Sequence, residues 1–243
     1  MTGNKKLSLE SLRSLPFYVV VACINEVDTN RLFVMLSQQE QEKARRYRRE
    51  SDRHRHILAH ALKRVLLANV LAVDIHDLRF ALNEYGKPYC QNPQAPYFNI
   101  SHSGDWVALA LSSSGEVGVD IEFPKKVDIS SLISRICSPE QEKAFKDRGA
   151  LSDAFWYIWS QKEAVSKANG RGLAIGIDNI DVSGAAGHSW VTVFSDRYQL
   201  WSQVFEAGVL SYAFANEDAL VQAYRLAAHK GELEHHDCCF YEL

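Results

Sequence analysis

Residues 17–24 (FYVVVACI) form an unbroken apolar run, rich in β-branched and aromatic side chains, and predict a buried strand. The fourteen or so residues before it are polar and read as loose. The texture changes at Ser37, which is followed three residues later by Glu40, the signature of a capping box. A helix-forming stretch opens there and runs, with interruptions, to about Ala68. Short strand-like segments follow at 78–82, 97–100, 106–112 and 117–123, with a turn at Glu84-Tyr85-Gly86-Lys87-Pro88. The pattern then predicts a helix over 139–146 and a stronger one over 153–168, stopped by Asn169-Gly170. Strands are predicted again at 177–182, 190–194, 198–205, 209–215 and 220–225. Each half of the chain thus reads as a helix followed by an antiparallel meander. The segments 106–112 (WVALALS) and 208–216 (GVLSYAFAN) are loosely alike, as an old duplication would leave them. The seam is placed near Gly118, giving an N-terminal lobe of residues 1–118 and a C-terminal lobe of residues 119–243.

Composition narrows the class. At 243 residues, 47% hydrophobic and 23% charged, the chain has the makings of one sizeable core or two smaller ones and is not a disordered segment. A formal charge of −3 excludes a protein that is basic all over and coats nucleic acid, so charge has to be read regionally. The early apolar run is far short of the roughly 20 residues a membrane span needs, and it lacks a signal-peptide cleavage pattern. Five cysteines, odd in number and without a C-x-x-C pair, point to reduced thiols and a cytoplasmic location.

Residues 43–64 hold nine Lys or Arg and three His (His54, His56, His60) against only Glu50 and Asp52, a density that marks a solvated face or an anion site. In Val117-Gly118-Val119-Asp120-Ile121-Glu122, a period of two places Asp120 and Glu122 on one side of a strand. Two carboxylates about 5 Å apart repel by about 3 kcal/mol at an effective dielectric of 20, which favours a cation between them. Oxygen-only ligation suits magnesium or manganese better than zinc. A sheet-edge strand with a charged outer face is the plainer account of the same residues. On the helix that follows, Trp159, Lys162, Glu163, Ser166 and Lys167 share one side by their spacing. Glu163 and Lys167 could form a simple surface pair, which leaves the tryptophan unexplained. In the functional account Glu163 is a third metal carboxylate or a general base, and Lys162 and Lys167 neutralise phosphate oxygens.

Gly170-Arg171-Gly172 follows a helix, not a strand, and serves either as the helix stop or as a phosphate loop. Ser101-His102-Ser103-Gly104 reads as a short loop between strands. With no G-x-S-x-G elbow in the chain, phosphate binding is a better role for it than hydrolase chemistry, and an ordinary polar turn stays open. His56 and His60 at i, i+4 lack the glutamate of a zinc-protease motif, and His235-His236-Asp237-Cys238-Cys239 sits in a tail; neither is taken as a metal site.

Taken in order, GKP, FNISHSGDW, VGVDIE and WSQKEAVSKANGRGL resemble the motifs of the Sfp-type 4′-phosphopantetheinyl transferases, over roughly residues 43–173. The resemblance implies an α+β fold of two similar lobes related by pseudo-twofold symmetry, with coenzyme A and magnesium in the cleft between them. It implies transfer of phosphopantetheine from coenzyme A to a serine of an apo acyl or peptidyl carrier protein, with release of 3′,5′-ADP. By motif matching, Asp120, Glu122 and Glu163 would hold the metal, Glu163 would deprotonate the serine, and Lys167 would stabilise the pyrophosphate. Lys87, Ser101 and His102 would contact the nucleotide and its phosphates, with Lys43 and Arg55 near the 3′-phosphate. A monomer is expected, since both lobes lie in one chain. Two other readings stay open: a magnesium-dependent phosphoesterase acting on a nucleotide pyrophosphate, and a non-catalytic module that binds carriers or nucleotides.

Overall fold

Every side chain of β2 (Phe17–Cys23) is buried, and its Tyr18, Val20 and Ala22 belong to the core of the first unit. The computed structural model describes residues 6–138, 141–143, 151–182, 187–215, 222–228 and 238–242, and divides the chain into two α+β units. The first comprises Met1–Ala81, Tyr89–Ser114 and Leu220–Leu243. Around β2 it sets β1 (Lys6–Ser8), β5 (Tyr97–Ser103), β6 (Trp106–Ser112), β11 (Gln222–Ala228) and β12 (Cys238–Glu242), in the sheet order β1-β12-β11-β2-β6-β5. Two short helices, α1 (Leu9–Leu12) and α2 (Thr29–Phe33), precede α3 (Gln38–Arg46) and the long α4 (Glu50–Leu71). The capping box forms as expected: the Ser37 side chain accepts from the Glu40 N–H, and the Glu40 carboxylate accepts from the Ser37 N–H. One face of α4, with Ile57, Leu58, Leu62 and Leu66, packs on Tyr18, Val20, Leu109 and Leu111 of the sheet. The short hairpin of β3 (Phe80–Leu82) and β4 (Pro88–Cys90) precedes β5, and its tip, Leu82–Pro88, packs with the second unit.

The second unit also holds Gly115–Ala219. Its sheet runs β7-β10-β9-β8, all antiparallel, from β7 (Val117–Glu122), β8 (His188–Val193), β9 (Asp196–Phe205) and β10 (Gly208–Phe214). Helix α6 (Leu151–Asn169) lies on one face, where Ala164, Val165 and Ala168 meet Val191, Tyr198, Leu200 and Ala213. Helix α5 (Ile129–Ile136) packs Ile133 and Ile136 against Phe155 and Trp156 of α6. The two segments that look alike in sequence, now β6 and β10, are each second from an edge of their sheet.

Four expectations are corrected. The chain does not divide by one crossing near residue 118: it leaves the first unit after Ser114 and returns, because β11 pairs in parallel with β2 and β12 joins β11 to β1. Residues 6–12 form β1 and α1, with Leu9 and Leu12 buried, and are not loose. The strand expected at 177–182 is absent. Gly176 takes a left-handed φ of 66°, Ile177–Asn179 is a 3₁₀ turn, and the Ile177 and Ile180 carbonyls accept from side chains instead of from a neighbouring strand. Helix α5 is not among the predicted elements: Ile129, Leu132, Ile133 and Ile136 have helical spacing, but the serines between them dilute the apolar pattern. Of the helix expected over 139–146, residues 141–143 are helical and the rest lie outside the described residues, as do 220 and 221. No helix of the described residues is long and apolar enough to cross a membrane, and Cys23, Cys90 and Cys137 are free thiols.

Candidate functional site

Gly118 fixes how closely α6 lies on β7. A Cβ there would stand 2.0 Å from the Ala164 carbonyl oxygen and 2.4 Å from the Ala168 nitrogen, so only glycine lets strand and helix touch at this point. The same alternation turns Asp120, two residues on, toward α6, where its Oδ1 accepts from the Lys167 ammonium at 2.6 Å. Ser160 keys the helix to the strand again by donating to the Asp120 carbonyl at 3.3 Å. Asp120 is buried, and its neighbour on this face, Glu122, accepts from Lys125 at 3.0 Å. Glu163, half-buried on α6, completes the group. Burial pushes its carboxyl above the usual range; the Lys167 charge pulls it back, and the Asp120 and Glu122 charges push it further up. Glu163 thus shares a partly dry face with two further carboxylates and the Lys167 ammonium.

The donor set is oxygen only, which fits a hard divalent cation such as magnesium or manganese and not zinc. Among the described residues, no three ligand-type side chains already converge tightly enough to hold an ion. Asp120 and Glu122 are engaged by the ammonium groups of Lys167 and Lys125, which stand where positive charge is called for.

Two of the lysines assigned to phosphate turn inward. Lys162 is fully buried, and its ammonium donates to the Ile136 carbonyl and Gln141 Oε1, both at 2.6 Å, and to the Ile177 carbonyl at 3.2 Å. It ties the end of α5 and the 177 turn to α6, and so leaves the set of phosphate contacts. The helix side drawn from spacing is in fact two faces: Glu163 and Lys167 look toward β7, whereas Lys162 and Trp159 look toward α5, with Trp159 stacked on Phe155 at 6.2 Å. Lys87 is likewise spent inside the chain, on Glu116 and on the carbonyls of Val117 and Ala168. Gly170-Arg171-Gly172 is the helix stop, with Gly170 at φ 78° and its N–H on the Ser166 carbonyl.

The first unit gathers the remaining candidates. Ser101 and His102 lie within β5, not in a loop; the turn is Gly104-Asp105, with Gly104 at φ 56°. His102 is exposed and Ser101 is buried. Arg55 donates to the Gly104 carbonyl and pairs with Asp52, which brings it to the end of the β5–β6 hairpin. Lys43, exposed in the last turn of α3, bears by charge on His56 and His60. Two of the nine basic residues of 43–64 are not on any anion-facing surface: Lys63 and Arg64 are buried and bind Glu40, each at 2.7 Å. His60 bonds that same carboxylate at 2.7 Å and His56 bonds the Glu40 backbone carbonyl at 3.0 Å, with the two rings tilted against each other at 4.3 Å; they form no metal cluster. Of the tail cluster, His235, His236 and Asp237 lie outside the described residues, and Cys238 and Cys239 lie on β12.

Sequence reasoning missed Asn83, whose side-chain oxygen accepts from the Tyr85 and Lys87 N–H groups and whose amide donates to the Gly170 carbonyl at 3.1 Å. An Asn three residues before a Gly in a strand-bounded turn was its signal.

The family pattern described as "4'-phosphopantetheinyl transferase superfamily" matches residues 116–224, and that described as "4'-phosphopantetheinyl transferase, N-terminal" matches residues 25–114. The chain is 33% identical over 161 residues to the 4'-phosphopantetheinyl transferase Sfp of Bacillus subtilis (strain 168), covering 65% of this chain and 71% of that one. It is 34% identical over 161 residues to the 4'-phosphopantetheinyl transferase gsp of Aneurinibacillus migulanus, covering 64% and 66%. A phosphopantetheinyl transferase of Thraustochytrium sp. is 35% identical over 164 residues, covering 60% and 57%. The chain belongs to the 4′-phosphopantetheinyl transferases, enzymes that move phosphopantetheine from coenzyme A to carrier proteins.

Proposed function

We propose that the reaction centre is the β7–α6 face, with Glu163 as general base toward the carrier serine and Asp120, Glu122 and Glu163 as the residues that would hold magnesium. The observation that carries this is the placing of Glu163, partly desolvated between one ammonium and two further carboxylates. A carboxyl with a raised pKa accepts the serine proton more readily than an ordinary one, and proton removal sharpens the hydroxyl oxygen for attack on the β-phosphorus of coenzyme A. Lys167, on the same face, is positioned to offset charge on the pyrophosphate. Magnesium, when bound, supplies charge neutralisation for the departing 3′,5′-ADP. No protein nucleophile is needed: the serine–phosphorus bond forms as the bond to 3′,5′-ADP breaks. Lys43, Arg55, Ser101 and His102 are proposed as contacts to the nucleotide end and its 3′-phosphate; the exposed His102 and Lys43 support this. The active form is proposed to be a monomer, in which every group named for the chemistry comes from one chain.

The test is the intact mass of apo carriers from fatty acid, polyketide and nonribosomal peptide synthesis after incubation with the protein, magnesium and coenzyme A. Gain of one phosphopantetheine, dependent on magnesium, is expected. Release of 3′,5′-ADP without a carrier would favour the phosphoesterase reading, and failure to bind magnesium would favour a non-catalytic module.

A further inference from the structure

The buried lysine at the tip of the β3–β4 hairpin has a different task from the one its motif suggests. An ammonium has three protons to donate. Those of Lys87 go to the Glu116 carboxylate, to the Val117 carbonyl at 3.1 Å and to the Ala168 carbonyl at 3.1 Å, and the side chain is only 11% exposed. None is left to point at a ligand. The two carbonyls belong to different elements. Val117 opens β7, three residues before Asp120; Ala168 lies in the last turn of α6, one residue after Lys167. A carbonyl in the last turn of a helix has no partner within the helix and sits at the negative end of its dipole, so a cation is well placed there.

We propose that Lys87 is a positioning residue, a staple that joins the strand and the helix bearing Asp120, Glu122, Glu163 and Lys167 at the point where Gly118 lets them touch. The tip that carries it is held by Asn83, which bonds the Lys87 N–H at 2.8 Å and the Gly170 carbonyl at 3.1 Å. Gly170 also leaves room for the lysine stem, since a Cβ there would come within 3.1 Å of Lys87 Cδ. Glu116, exposed beside this arrangement, supplies compensating charge; the two carbonyls fix the geometry. The assignment rests on the transferase reading, with Glu163 as base.

The experiment compares Lys87→Met, which keeps the stem and loses all three donors, with the parent. The measurements are kcat, KM for coenzyme A, calorimetric Kd for 3′,5′-ADP, and amide exchange at residues 117–120 and 166–169. A staple predicts kcat lower by about 10²-fold, as a misplacement of reacting groups by an ångström costs. It also predicts KM and the 3′,5′-ADP Kd within about threefold of the parent, with faster exchange in both segments. A phosphate contact predicts the reverse: Kd for 3′,5′-ADP weaker by roughly tenfold or more, kcat at saturating coenzyme A unchanged, and exchange unaffected. That result would overturn the proposal. If Lys87→Met does not fold, Glu116→Gln decides: a staple leaves Kd for 3′,5′-ADP within about twofold, whereas a lysine that must exchange Glu116 for phosphate binds 3′,5′-ADP several-fold tighter once released. The exchange arm needs no turnover, so a protein that transfers nothing would sink the transferase reading and leave the staple to be judged on exchange alone.

Discussion

Glu40 and Glu163 are the same residue type, both largely withdrawn from water, and their surroundings drive them in opposite directions. Burial alone would raise the Glu40 carboxyl, but a hydrogen bond from His60 and the cations Lys63 and Arg64 outweigh it and hold the group far below the usual carboxylate range. At Glu163 burial also raises the carboxyl, and there a single ammonium is set against two more carboxylates, so it stays high. Glu40 serves architecture: it caps α3, and through Lys63 and Arg64 it fastens α3 to α4, with Lys63 lying 3.9 Å over the Phe80 ring. Glu163 is left in need of charge from outside. A buried carboxylate saturated by its own chain is a joint; one with fewer cations around it is a candidate site.

The comparison breaks most visibly if the joint is cut. Glu40→Gln leaves Lys63 and Arg64 buried without their counter-charge and is expected to cost about 3–5 kcal/mol of stability by denaturant unfolding. Gly118→Ala drives a methyl into the backbone of α6 and is expected to cost roughly 1–3 kcal/mol, or more if the helix is too rigid to yield, and to lower turnover with it. Asp120→Asn should act as weakened magnesium binding, seen as a higher magnesium concentration for half-maximal rate that excess metal largely recovers. Excess metal should not rescue Glu163→Gln to the same degree.

The pH dependence of stability sharpens the contrast. Glu40 has a lowered folded pKa, so its contribution is complete above its unfolded value near 4.5 and is lost as pH falls below that. Glu163 has a raised one, so in metal-free protein its ionisation opposes folding as pH rises from 4.5 through its folded value. His56 adds a further acid-side loss. Burial lowers its pKa from 6.5 to about 4, so the unfolded chain takes up the proton first, and stability declines from pH 6.5 down to 4. Thermal melts of the parent, Glu40→Gln and Glu163→Gln between pH 4 and 8 separate these contributions.

Much of the second unit was legible in the sequence, since period-two alternation already turned Gly118, Asp120 and Glu122 to one side of a strand. The capping box at Ser37 and the helix stop at Gly170 were equally local, and both formed as read. What stayed hidden depended on distant partners. Helical spacing put Lys162 and Glu163 on one side, but only the arrival of α5 and the 177 turn decides that one lysine is swallowed and its neighbour is not. The basic count over 43–64 could not separate Lys63 and Arg64, which serve Glu40, from residues that face outward. The return of β11 and β12 to the first sheet is a parallel pairing with β2 across two hundred residues, beyond the reach of any local pattern.

The most direct test sets Glu163→Gln beside Glu40→Gln and reads two quantities for each: the rate at which an apo carrier gains one phosphopantetheine, and the melting temperature of the metal-free protein at neutral pH. Loss of a general base costs about 10²–10⁴-fold, so Glu163→Gln should lose that much rate while melting no lower than the parent. Glu40→Gln should melt well below the parent and, at temperatures where it is folded, transfer at the parental rate. A Glu163→Gln protein that transfers at the parental rate would contradict the account, whatever its melting temperature.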